Sequence, residues 1–513
     1  MKKRSIGKIF SINLCGTLLL LSLSTNNLAQ DILSLEIPVL LEKGTKAQFL
    51  DTIKQYTDYS FLYSSYIKPD EEVIIKTGKY KVITILDSLF SDQTIDYIVK
   101  NDLIILSPQT HRSIAQKNVV LTGKVLSRYN EPISFATVYF ENSSYGTMAN
   151  EEGKFRFVVP KKLEDDSLCI SSIGYKIQKI PPEVYLTGDI MVRLRSSSIP
   201  IKDIIIRPDV PEDIVRHSFD SRDINYSSKP TIITAFYREY SKQNDEYISL
   251  SEALVKVKKA SYSGTAVDVV QLTKGRNGTN IVQSEVLKLI TQGGLYNGFR
   301  LDIAKYKSYF YSEGQNDECD YTFIETTVFR GRRTYVIGFK MKEGIYDGYY
   351  SGKLYIDINS LALVRAEYEL NKSGIIPVLI KKLPYGYKIK PEYAKYVVEY
   401  RFYSGLWNLY YAKKDLKIHI NKARGRKNKG FSCDFTSTAE FVVTSQNEAD
   451  DQRFRWRDAS KPGDVLFEQI KNTKNNFWID YNIIVPEEPL IKTIKKLQTK
   501  GMLMDEKENE PKQ

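Results

Sequence analysis

Three histidines, His111, His217 and His419, are the only imidazoles in the chain, and they limit the acid–base and metal chemistry it can support. A zinc site needs convergent His, Glu or Cys ligands, and none of the three is followed by His or Glu three or four positions on. A serine triad would need one of them as its base, and no G-x-S-x-G elbow occurs. Cysteines stand at 15, 169, 319 and 433, too scattered for a metal cluster or a disulfide framework and without a recognisable Cys–His pair. The stretch KGRNG at 274–278 reads as a glycine-containing turn, because the phosphate-loop pattern G-x-x-x-x-G-K is missing. Glu367 and Glu369 share a strand phase with Arg365, as a charged exterior face would; a carboxylate-pair hydrolase is the alternative class. Arg424, Arg426, Lys427 and Lys429 crowd the loop 421–430, which could touch anionic lipid or polysaccharide. The expectation is a protein with no catalytic residues, no metal and no cofactor.

The composition agrees with a binding role. The formal charge is +12, with 74 Lys and Arg against 62 Asp and Glu. Charges of both signs are interspersed, which gives mild basicity rather than the concentrated patch that binds nucleic acid. Tyrosine is abundant, 36 against 22 Phe and 3 Trp, which favours β-structure and wet, amphipathic surfaces. At roughly 100–200 residues per domain, 513 residues make three to four domains.

Residues 1–29 read as a secretory signal. Lys2, Lys3, Arg4 and Lys8 form a basic start, Leu14–Leu23 an apolar run, and Leu28-Ala29-Gln30 a small-residue cleavage site after Ala29. Cys15 follows a poor lipobox. No later stretch reaches spanning length, so the expectation is an exported protein without a transmembrane segment after cleavage, in the periplasm or at the periplasmic face of the outer membrane. Residues 30–107 alternate between strand and helix patterns. Thr45-Lys46-Ala47-Gln48 is a capping box ahead of Phe49, Ile53 and Tyr56. Val82, Ile85, Leu86 and Leu89 make an amphipathic helix, and 94–106 a hairpin about Asn101-Asp102. This order resembles the short secretin and TonB N-terminal domain (STN-type), which implies contacts to periplasmic protein partners and no chemistry.

After a polar linker, 108–118, residues 119–195 carry strands and turns in a recurring order. Asn130-Glu131-Pro132 is a turn, Phe155 and Phe157 share one strand face, and Gly174 precedes the large Tyr175 where a strand bends or meets another backbone. Gly123, Val125, Pro132, Ala136, Val138, Thr147, Gly153, Phe155, Ile173, Gly174 and Tyr175 together resemble the carboxypeptidase-regulatory-like domain, a transthyretin-like β-sandwich of bacterial envelope proteins. That domain accompanies zinc carboxypeptidases and holds none of their ligands.

Residues 196–229 read as a second linker. In outer-membrane transporters with the same leading modules, a similar Ile/Val-rich segment precedes plug and barrel. Here roughly 300 residues remain, too few at ~10 residues per strand plus loops, and the transport function does not carry over. Residues 230–485 alternate with period two: Val364, Ala366, Tyr368 and Leu370 against Arg365, Glu367 and Glu369; Val398, Tyr400 and Phe402 against Glu399 and Arg401; Leu416, Ile418 and Ile420 against Asp415, Lys417 and His419. That is an antiparallel sheet with one apolar face. The stretch 352–370 is similar to the bacterial lipoprotein-carrier fold, a curved half-barrel sheet about an apolar cavity, and Val364, Tyr368, Tyr400 and Phe402 are the residues expected on its cavity or core face. Residues 486–513 read as an amphipathic helix and a charged tail. The whole predicts a multidomain, mainly β protein: a small α/β module, a β-sandwich and a large curved antiparallel sheet with a few helices. Its expected role is a non-enzymatic envelope binding or adaptor protein, partnered by outer-membrane or periplasmic proteins, lipid or lipoprotein and not by nucleic acid. An unrecognised envelope hydrolase and a signalling component acting through the N-terminal module are the alternatives.

Overall fold

A computed structural model describes residues 31–499 apart from scattered stretches of one to three residues, which include 94 and the Asn101-Asp102 turn of the expected hairpin, and the segments 109–118, 198–209, 280–287, 307–317, 343–349, 376–385, 424–429, 449–453 and 471–480. The leader with Cys15, most of the first linker with His111, the basic loop with Arg424, Arg426, Lys427 and Lys429, and the charged tail lie outside the described residues. The chain divides into two compact units, Met1–Ile114 and Ala115–Gln513.

The first unit contains helices α1 (Asp31–Ser34), α2 (Lys46–Gln55) and α3 (Val82–Leu89) and strands β1 (Glu36–Val39), β2 (Lys43–Thr45), β3 (Ser60–Ser64), β4 (Glu72–Ile74), β5 (Gly78–Lys81), β6 (Ile95–Lys100) and β7 (Leu103–Pro108). The capping box forms as expected, with Thr45 Oγ1 accepting from the Gln48 amide and Gln48 Oε1 from the Thr45 amide. Phe49, Leu50 and Ile53 of α2 and Val82, Ile85, Leu86 and Leu89 of α3 supply the buried stripes. β3 runs parallel to β7, which pairs antiparallel with β6.

The second unit begins with the sandwich: β8 (Val119–Ser127), β9 (Thr137–Phe140), β10 (Gly146–Met148), β11 (Lys154–Val159), β12 (Leu168–Ser171), β13 (Gln178–Ile180), α4 (Pro182–Tyr185) and β14 (Asp189–Leu194). One layer orders β11-β8-β14 and the other β10-β9-β12-β13. Phe155 and Phe157 both turn inward, and Gly174, at φ +75°, donates its amide to the Val328 carbonyl.

Where a linker was expected, α5 (Pro211–Asp220) and α6 (Arg222–Asn225) form. Val215, Phe219 and Tyr226 anchor them in the core, so burial rather than capping holds these short helices: neither has a side-chain cap. Ten antiparallel strands follow: β15 (Thr231–Gln243), β16 (Glu246–Lys259), β17 (Val269–Thr279), β18 (Cys319–Phe329), β19 (Arg332–Met341), β20 (Tyr350–Asp357), β21 (Leu363–Leu370), β22 (Tyr387–Tyr403), β23 (Leu406–Lys422) and β24 (Phe431–Glu448). Their order is β17-β16-β15-β24-β23-β22-β21-β20-β19-β18, an open sheet whose first and last strands in sequence, β15 and β24, lie side by side within it. KGRNG lies inside β17 and is no turn: a Cβ on Gly275 would approach Ile470 to 2.8 Å and the Glu252 carbonyl to 3.0 Å, so the glycine serves close packing. Gly352 likewise sits within β20. Helices α7 (Gly294–Phe299), α8 (Leu466–Gln469) and α9 (Glu488–Thr499) complete the unit.

α7 packs on the sheet centre, with Phe299 stacked on Phe441 at 4.2 Å between centroids. Both rings are 1% exposed. Phe441→Ala should therefore destabilise the second unit by about 3–5 kcal/mol, read as a lowered urea midpoint; an unshifted midpoint would show that α7 is not part of the cooperative core.

Candidate functional site

The site is assembled by strand register. Residues directly opposite in adjacent antiparallel strands point to the same face. One such row crosses the sheet: Gly352, Tyr368, Tyr396, Lys414, Ala439, Glu239 and Ser251. Phe441 and Tyr237 stand opposite each other two residues away, so this is the face on which α7 lies and is called the inner face here.

Part of the inner face is filled by a fully matched polar clasp. Asp302 accepts from Lys259, from the Tyr262 hydroxyl at 2.8 Å and from the Tyr400 hydroxyl at 2.7 Å, and Tyr400 in turn accepts the Ala304 amide. Asp268 takes Lys259 at 2.7 Å and Lys305 at 2.8 Å. Burial alone would push Asp268 up; the two ammonium groups outweigh it and hold the carboxyl below its usual range. The clasp fastens residues 302–306 to the sheet.

Further along the same face the groups are not matched. Glu239 Oε2 accepts the Tyr237 hydroxyl at 2.9 Å, but among the described residues Oε1 has no hydrogen-bond partner, and neither has Ser241 Oγ on the next inward position. Glu239 is 4% exposed, and burial pushes its carboxyl up to about 7 despite that hydroxyl and the attraction of Lys414. Lys414, across Ala439, makes no hydrogen bond or ion pair among the described residues; burial lowers it, and Glu239 only partly offsets this. Beside it Tyr368 and Tyr396 stack at 5.0 Å, with Tyr350 edge-on to both at 5.7 and 6.2 Å. Lys414, Tyr396 and Tyr350 each keep part of their surface open.

The opposite face is sealed by the sandwich. Arg401 donates to the Ser143 and Tyr145 carbonyls, and the Tyr410 hydroxyl to the Thr147 carbonyl at 2.6 Å. Arg330 and Arg365 converge on Glu399, which also accepts from Thr137. Residues 481–484 run between the layers: Arg238 donates to the Ile484 carbonyl at 2.6 Å, and Asn482 Oδ1 accepts the Val158 amide at 2.6 Å. Two pockets, one at this seam by Arg401 and Tyr410 and one by Lys259 and Tyr262, hold about 10 Å³ each, room for a single water.

Of the residues singled out from sequence, Val364, Tyr368 and Tyr400 come together on the buried inner side. Phe402 departs from them: it is the last residue but one of β22, 38% exposed, its ring against Trp407 and beneath the Arg332 guanidinium. Glu367 and Arg365 pair on the sandwich-facing side. His217 ends α5. His419 bonds Asp434 at 2.5 Å through Nδ1 and Ser432 at 2.9 Å through Nε2, a serine–histidine–aspartate chain on partly exposed strand surface. Glu239 and Lys414 escaped the sequence reading, although the signal was present. Lys414 precedes Leu416, Ile418 and Ile420 on their own apolar phase, and Glu239 follows Ile233, Ala235 and Tyr237 on theirs.

No group of three metal-ligating side chains occurs among the described residues, and no described helix is long and apolar enough to cross a membrane, which says nothing of barrels. Cys169, Cys319 and Cys433 are buried.

Residues 121–206 match the family model of the CarboxypepD_reg-like domain, so the second unit opens with a domain of that kind. No curated protein matches the chain. Among solved structures, a LolA superfamily protein from Nitrosomonas europaea aligns over 48% of this chain and 96% of its own at 9% identity and TM-score 0.19. A DUF1329 family protein from Desulfovibrio piger aligns over 47% and 93% at 10% identity and TM-score 0.21. Lipovitellin aligns over 46% of this chain and 27% of its own at 9% identity and TM-score 0.22.

Glu239 has a folded-state value raised from 4.5 to about 7, so folding favours the protonated acid. Its favourable contribution is complete below pH 4.5 and is lost as pH rises through 7. Glu239→Gln should equal the parent in stability near pH 4 and exceed it by about 3 kcal/mol at pH 8, measured by urea unfolding at both pH values. Parallel pH profiles for the two proteins would exclude a buried carboxylic acid here.

Proposed function

We propose that the chain is a non-enzymatic binding protein of the bacterial envelope that carries an amphiphilic, lipid-like ligand on the inner face of its ten-stranded sheet. The observation that carries this reading is the half-open Tyr350–Tyr368–Tyr396 cluster beside Lys414, whose ammonium makes no hydrogen bond or ion pair among the described residues. Tyrosine rings offer large apolar area with a polar tip, and an ammonium without a carboxylate partner favours an anionic group next to that area. The sandwich covers the other face, so a ligand has one side of the sheet to bind. The leader expected at 1–29 would deliver the protein to the periplasm, where the N-terminal module, read as STN-type, would make contacts with protein partners.

Native mass spectrometry of the purified mature protein, with solvent extraction of what it carries, tests this. Bound lipid is expected, and Tyr396→Ala together with Tyr368→Ala should reduce the occupied fraction about tenfold. A protein that retains nothing and takes nothing from vesicles would overturn the reading. The competing hydrolase reading has one specific observation, the Ser432–His419–Asp434 chain. It lacks a described concave site in which a substrate would be held, and a fluorophosphonate probe is expected to leave Ser432 unlabelled; labelling abolished by His419→Ala would replace carriage with catalysis.

A further inference from the structure

Buried polar groups in folded proteins are almost always hydrogen-bonded, and each exception calls for a partner. On the inner face two such exceptions adjoin an unmatched ammonium. Glu239 Oε1 and Ser241 Oγ are buried without a hydrogen-bond partner among the described residues, and the partly buried Lys414 has no hydrogen bond or ion pair among them. Register places them round one spot. Ala439 lies directly between Glu239 and Lys414, and Ser437 stands opposite Ser241. Interstrand spacing sets the Glu239 and Lys414 backbones ~10 Å apart, two strand separations. The side chain between them is a single, partly buried methyl, so the space above Ala439 is flanked by an acid on one side and an ammonium on the other. Gly294 roofs the acid end, where a Cβ would come within 3.1 Å of Glu239 Oε2. The lysine end adjoins the half-open tyrosines.

We propose that this space receives the zwitterionic head group of an aminophospholipid, its ammonium facing Glu239 and Ser241 and its phosphate facing Lys414. The tyrosine cluster then lies against the start of the acyl region. The proposal rests on the ligand-carrying reading above and specifies its head group. A phosphate held by Lys414 alone would suit any anionic lipid. The Glu239 carboxyl supplies the discrimination, because an ammonium brings it hydrogen-bond donors and an opposite charge together, whereas a glycerol head group brings hydroxyl donors without the charge.

The test loads the full mature chain from vesicles of equimolar phosphatidylethanolamine and phosphatidylglycerol, then extracts and quantifies both lipids. Phosphatidylethanolamine is expected in at least fivefold excess. Glu239→Gln should bring the ratio to about one by lowering the loading of phosphatidylethanolamine, its fold verified by its urea midpoint. Lys414→Met should lower the loading of both lipids about tenfold. Equal loading by the parent, or a preference that survives Glu239→Gln, overturns the head-group assignment and leaves the carrier reading standing. Loading of neither lipid overturns the carrier reading. In that case calorimetry with free phosphoethanolamine decides the site by itself: binding lost in Glu239→Gln upholds a head-group site for the unesterified compound, and no binding overturns it.

Discussion

The seam between β15 and β24 governs the second unit. Thr231–Gln243 pairs with Phe435–Glu448, strands separated by almost the whole length of the sheet's sequence. Three strands lie on one side of that seam and seven on the other, and each group is a local meander. Closing so long a loop costs entropy before any pairing rewards it, and the two groups share no other edge. The inner row crosses the seam at Ala439–Glu239, and on the opposite face Arg238 reaches Glu440 across it at 3.5 Å. The candidate site therefore exists only once the last long strand has docked against the first.

An open sheet of ten strands must bury most of both faces, and the chain covers each differently. The sandwich side is fixed by buried cations that find carbonyls and carboxylates. Arg238 and Glu252 are both fully buried, and Arg276 completes the pair on Glu252. Arg401 has carbonyls and no carboxylate, and burial presses it down to about 10, so it stays cationic at neutral pH. Such pairs contribute little net stability against an apolar isostere, but breaking one leaves a charge stranded. Their effect is to fix one orientation of sandwich on sheet, which a greasy interface would not. The sandwich is thereby part of the same body as the sheet rather than a detachable spacer.

Much of this was legible in sequence where the pattern is local. The period-two alternation at 364–370, 398–402 and 416–420 marked strands and their apolar faces, and the turn and glycine spacing of 121–175 marked the sandwich. What stayed hidden depends on distant chain. α5 has a weak helical signature and forms because Val215 and Phe219 meet the sheet core. KGRNG looks like a turn because the reason for Gly275, the Ile470 side chain, lies far away in sequence. Phe402 shares the phase of Tyr400, yet strand phase does not say where a sheet ends. Glu239 and Lys414 were invisible as a pair, since only the β15–β24–β23 register brings them to either side of Ala439.

Two polar clusters occupy the same inner face, and their contrast locates the site. Both place acids and lysines where hydrophobic side chains would pack more stably. In the clasp each carboxylate has at least two donors: Asp302 has a lysine and two tyrosine hydroxyls, and Asp268 has two lysines. That cluster offsets its own desolvation and accounts for itself as an anchor for residues 302–306. The cluster at Glu239 does not: one hydroxyl serves one of two carboxylate oxygens, and its lysine stands off across an alanine. A merely structural role would be better served by a longer residue at 439 or by a shorter reach between the charges. Polar groups left unmatched beside partly open aromatic surface fit the proposed binding role, in which a ligand supplies the missing partners.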